Sequence, residues 1–100
     1  MTPTLTQTAP GRFELAGDIT FATVTPLWRH SRTQLAACRG TVTLDLGGVG
    51  HADSAAFALL LEWLRLARRH RFELRFIHPP ARLRTMAHAY DLDPILPFHG

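Results

Sequence analysis

A chain of 100 residues, 46% apolar and with a mean hydropathy near zero, has the composition of one small globular domain, expected to span residues 1–100. No stretch reaches the roughly 20 apolar residues that cross a bilayer, and the N-terminus lacks the basic start and apolar run of a signal peptide, so none is expected. A lone cysteine, Cys38, excludes an internal disulfide and suits a reducing cytosol, while the net charge of +3 is too modest to imply a polyanionic partner.

Thr4 to Thr8 reads as a weak strand with Leu5 as its core residue, and Pro10-Gly11 is a turn signal. Arg12 to Ala16 alternates, with Phe13 and Leu15 inward, until Gly17-Asp18 is expected to break it before Ile19. The two segments form an antiparallel hairpin on this reading. A helix follows, with Thr25 as its cap and Pro26 at the first helical position, where a missing amide costs nothing. Leu27, Trp28, Ser31, Leu35 and Cys38 share one side of it, and Gly40 ends it.

Thr41 to Leu46 has the period of a half-buried strand, with Val42, Leu44 and Leu46 on one face. Gly47, Gly48 and Gly50 supply the freedom for a sharp reversal. Asp53 and Ser54 are both preferred helix caps, and strong helix formers then run to residue 70 with Arg65, Arg68 and Arg69 in the last turns, where the helix dipole favours them. Phe72 to Ile77 is a strand stopped by His78-Pro79-Pro80. Ala81 to Tyr90 is a helix packing through Leu83, Met86, Ala87 and Tyr90, and Ile95, Leu96 and Phe98 pin the tail.

Strand–helix–strand connections of these lengths favour parallel neighbours with right-handed crossovers. The strands alternate instead of being apolar throughout, so helices should cover one sheet face only. The expected fold class is α/β: a single domain with a mixed four-stranded sheet, one face of which is covered by three to four helices. A doubly wound nucleotide-binding fold, buried on both faces, is excluded.

The search for chemistry returns little. His30, His51, His70, His78, His88 and His99 show no ligand spacing, so no metal is expected. Gly47-Gly48-Val49-Gly50 lacks the lysine and hydroxyl of a phosphate-binding loop, and no GxSxG surrounds Ser54. His51 and Asp53 lie close in sequence, but no nucleophile and base can be paired. No catalytic residue, cofactor or small-molecule substrate is therefore assigned. A phosphate- or nucleotide-dependent enzyme using residues 47–54 stays only as a distant third reading. The arginines between Arg65 and Arg75 read as a solvated helix end, and no nucleic-acid partner is expected.

The helix from Ser54 is more informative as a surface. At about 100° per residue, Ala56, Leu60, Trp63, Leu64 and Ala67 centre its buried side, and Ser54, Ala58, Glu62, Arg65 and Arg69 lie opposite. Leu61 projects beside Ser54 and Arg65, and Phe57 sits at the border. The apolar arc is wider than a one-sided helix requires. Either flanking elements cover the excess, or Asp53, Ser54, Phe57, Ala58, Leu61, Glu62 and Arg65 make a partner-binding patch.

TVTLDLGGVGHADSAAFALLLEWL, with AGDI (Ala16–Ile19) before it and the strand 72–77 after it, resembles the signature of the STAS domain family of sulfate-transporter segments and anti-sigma factor antagonists. TPLWRHSR (Thr25–Arg32), DSAAFALLLEWLRLARR (Asp53–Arg69) and AYDLDPILP (Ala89–Pro97) are similar to the cytoplasmic STAS subunits of Mla phospholipid-transport ABC systems, which maintain outer-membrane lipid asymmetry. The resemblance implies a non-catalytic subunit in the cytoplasm, peripheral to the inner membrane. Its implied partner is the transporter's ATPase and, through it, the membrane permease. It carries over onto Asp53 and Ser54 as the Asp-hydroxyl pair at the helix start. In phospho-switched antagonists the acceptor hydroxyl comes next; here that position is Ala55, and Ala56 stands where a glycine is usual. No phosphorylation is expected at Ala55, which favours the transporter subunit. The alternative is an anti-sigma factor antagonist, a transcriptional partner-switching regulator.

Overall fold

A computed structural model describes residues 2–96, 98 and 99, with only the backbone of His99; Met1, Pro97 and Gly100, part of the expected 1–100 span, lie outside the described residues. The expected hairpin is present: β1 (Thr4–Ala9) runs antiparallel to β2 (Arg12–Ile19), with Leu5 opposite Leu15. Where Gly17-Asp18 was expected to break it, β2 continues to Ile19. Gly17 takes φ +99 inside the strand, and the register against the next strand shifts there, so the irregularity is absorbed as a bulge.

Helix α1 (Val24–Ala36) starts before the expected cap at Thr25 and stops short of Gly40. Its N-cap is Thr23, whose hydroxyl accepts from the Thr20 amide at 3.0 Å and donates to the Asp18 carbonyl at 2.7 Å. Pro26 thus falls at the third helical position, where its missing amide is still among the orphans of the first turn.

The largest departure from the sequence reading is β3, which runs Thr41–Ala52. Its glycines do not reverse the chain. They extend the strand alongside β2, pairing Ala16 with Gly48, Gly17 with Val49 and Ile19 with Ala52. A Cβ on Gly48 would lie 3.0 Å from both the Ala16 Cβ and the Leu15 carbonyl oxygen. Glycine is needed there for close approach of two backbones, a role a strand interior also gives it.

Helix α2 (Ser54–His70), β4 (Glu73–Ile77) and α3 (Ala81–Ala89) follow, close to their expected bounds. β4 is parallel to β3, placing Val42 beside Leu74 and Leu44 beside Phe76. A two-residue strand, β5 (Phe98–His99), pairs with the far edge of β4. The sheet order is β1-β2-β3-β4-β5: the expected four-stranded mixed sheet, with one short strand added.

One face of this sheet carries Phe13, Leu15, Ile19, Val42, Leu44, Leu46, Leu74 and Phe76, all buried. Leu27 and Leu35 of α1, Leu60 and Trp63 of α2, and Leu83 and Ala87 of α3 complete the same core cluster. Burying each large side chain contributes about 1.5–3 kcal/mol. The alternate residues Arg12, Glu14, Glu73 and Arg75 are exposed, so three helices cover one face and solvent meets the other.

Candidate partner-binding surface

Asp53 organises the start of α2. Its extended backbone (φ −116, ψ −168) turns the carboxylate back over the first helical turn, and Oδ1 accepts from the Ala55 amide at 2.8 Å. Oδ2 accepts from the Phe21 amide at 3.1 Å, and the Asp53 amide donates to the Ile19 carbonyl at 3.2 Å. One carboxylate thereby caps α2 and fixes the loop between β2 and α1.

Because Asp53 does the capping, Ser54 is released from it. Ser54 is the first helical residue, exposed, and its hydroxyl has no hydrogen-bond partner among the described residues. The next three residues turn inward: Ala55 and Ala56 are each 3% exposed and Phe57 4%. Phe57, placed at the border of the patch by sequence, therefore belongs to the core. Tyr90, at the end of α3, covers it in an edge-to-face contact with ring centroids 5.9 Å apart. This correction has a packing cause: helical spacing fixes an angle around α2 but not which neighbour lies there.

Beyond Phe57 the outward ridge continues. Ala58 and Arg65 are exposed, Leu61 and Glu62 are half-buried, and the Arg65 guanidinium donates to Glu62 Oε1 at 3.1 Å across one helical turn. A groove of about 160 Å³ flanks the ridge on the α1 side, lined by Val24, Thr25, Trp28, Ala58, Leu59 and Glu62. Phe21 stands near the helix start, 74% exposed and held at its backbone by Asp53. The sequence reading did not select it. An apolar residue in a loop fixed by a cap only becomes visible once the Asp53–Phe21 bond is known.

A larger cavity lies elsewhere, about 580 Å³ between β1 and α1, lined by Leu5, Ala22, Pro26, Leu27 and His30 among others. Among its described lining residues His30 is the one ionisable side chain, beside the threonines Thr2, Thr4, Thr6 and Thr23. No three His, Cys, Asp or Glu side chains converge as metal ligands among the described residues. His51 is fixed through its backbone, its amide donating to Asp18 Oδ1 at 3.0 Å, while the Asp53 carboxylate is taken up by the Phe21 and Ala55 amides. No helix among the described residues is long and apolar enough to cross a membrane.

A mixed sheet covered on one face, with an Asp-hydroxyl pair launching the helix after its long central strand, defines a STAS-type domain. The family model described as "Mlab, STAS domain" matches residues 5–97, and the chain belongs to that family. More particularly, it is 31% identical over 81 residues to MlaB of Haemophilus influenzae, described as the intermembrane phospholipid transport system binding protein; the match covers 78% of this chain and 77% of that protein.

Proposed function

We propose that this chain is the non-catalytic STAS subunit of a phospholipid-transport ABC complex, gripping the ATPase subunit with the ridge Ser54–Ala58–Leu61–Glu62–Arg65. Through the ATPase it reaches the permease, and it sits in the cytoplasm at the inner membrane. The likeness to MlaB supports the transport system. The observation that carries the contact itself is the division of labour at the helix start: Asp53 caps α2 through the Ala55 amide and ties down the Phe21 loop, and Ser54 faces outward with its hydroxyl unbonded among the described residues.

Small side chains at Ser54 and Ala58 let another protein's backbone approach α2 closely, and the Glu62–Arg65 pair borders the contact with both charges. Ala55 is buried and has no hydroxyl, which disfavours the phospho-switched antagonist reading. The test is co-expression of the tagged chain with the ATPase and permease of such a complex. Recovery of the ATPase with the tagged chain supports the proposal. A folded, tagged chain that retains no ATPase overturns it.

A further inference from the structure

The side of α2 away from α1 carries a second groove, of about 330 Å³, lined by Leu61, Leu64, Arg65, Arg68 and Ile95. Ile95 is 55% exposed, one of the few large apolar side chains so placed, and Leu61 and Leu64 beside it are only half-buried. The groove has an apolar floor and two guanidinium groups, and no acid among its described lining residues. Arg65 is already bonded to Glu62 at 3.1 Å, whereas Arg68 has no ion-pair partner among the described residues.

The geometry points to a docking groove for a helix of the ATPase that seats an apolar side chain between Leu61, Leu64 and Ile95 and presents a carboxylate, three or four residues along, to Arg68. This rests on the proposed function and extends it by naming the chemistry of the partner's segment. Charge complementarity selects the occupant: a cation beside an uncovered apolar hollow is satisfied by an amphipathic acidic helix, which buries the hollow and pairs the charge together. An anionic membrane is the weaker fit. The groove is concave, and within the arginine run Arg65 and Arg75 are already paired, with Glu62 and Glu73.

The experiment titrates the ATPase subunit into wild type, Arg68→Glu, Ile95→Asp and Ser54→Arg, each checked for folding by circular dichroism, over a range of salt. The inference expects Arg68→Glu and Ile95→Asp to bind at least about tenfold more weakly, with the loss in Arg68→Glu shrinking as salt rises, because the charge pair has become a repulsion that salt screens. If both bind like wild type while Ser54→Arg does not, the groove is unoccupied and the inference fails, although the ridge contact stands. If wild type itself does not bind, the proposed function fails and the groove reading with it. If Arg68→Glu binds the ATPase normally but loses retention on phosphatidylethanolamine–phosphatidylglycerol vesicles that hold wild type, the groove serves a membrane and the inference is overturned.

Discussion

The indole nitrogen of Trp63 donates to the hydroxyl of Ser31 at 2.8 Å, and both residues are fully buried where α1 meets α2. Ser31 in turn donates to the Trp28 carbonyl at 3.2 Å, so each polar atom of the pair is satisfied inside the core. Removing the serine hydroxyl leaves a buried N–H with no partner, which costs about 1–3 kcal/mol. Ser31→Ala should lower the melting temperature by about 4–8 °C for each of those kcal/mol in a domain of this size. Repeated in a Trp63→Phe background, which has no indole N–H, the same change should cost much less. Equal costs in both backgrounds would show that the bond does not matter.

Asp53 joins two elements through one side chain, so its loss should exceed that of an isolated cap. Asp53→Ala is expected to cost at least the about 0.5–2 kcal/mol typical of cap removal. It should also raise hydrogen exchange at the Phe21 and Ala55 amides, the two donors it now holds. Protection unchanged at Phe21 would contradict the bridge.

Gly48 tests the reading of the glycine run. Gly48→Ala forces a methyl to within 3.0 Å of a neighbouring backbone oxygen and of the Ala16 Cβ, and should destabilise by about 1–3 kcal/mol, as overpacking does. Gly50→Ala meets only the end of the Asp18 side chain, at 3.0 Å, and should cost less. If Gly48→Ala is neutral in urea unfolding, the two strands are not as close as described.

Asp45 supplies a pH dependence. Partial burial pushes its carboxyl upward, but the Gly47 amide at 2.8 Å, His78 Nδ1 at 3.1 Å and the Arg12 guanidinium at 3.6 Å outweigh this and leave it below its ordinary value. A carboxylate lowered in the folded state binds its proton more weakly there than in the unfolded chain. Its contribution is therefore present above the unfolded pKa of about 4 and is lost as pH falls through the lower folded value. Asp45→Asn should melt on the order of a few degrees below wild type at neutral pH, and the gap should close under acid. A gap that stays constant down to the acid limit would exclude the linkage.

Much of the architecture is legible in the sequence because alternation and helical period are local properties. Val42, Leu44 and Leu46 announce a one-sided strand, and Asp53 announces a cap. The glycines at 47, 48 and 50 misled because freedom to turn and absence of a side chain look the same in one dimension. Only the pairing of Gly48 with Ala16 shows that the second property is the one used. Thr25-Pro26 misled in the same way, since Thr23 gains its place from a turn with Thr20 and Asp18 that helix patterns do not encode. Within the candidate surface, Ser54 and Ala58 lie where helical spacing puts them, whereas the burial of Phe57 depends on Tyr90, 33 positions away in sequence and adjacent only once α3 has packed.

The central claim is that the open start of α2 is a protein contact. Its most direct test is calorimetric titration of the purified ATPase subunit with wild type and with Ser54→Arg, whose new side chain points away from the core. The account predicts an unchanged melting temperature and no detectable heat of binding for the variant. A variant that binds with wild-type affinity would contradict it.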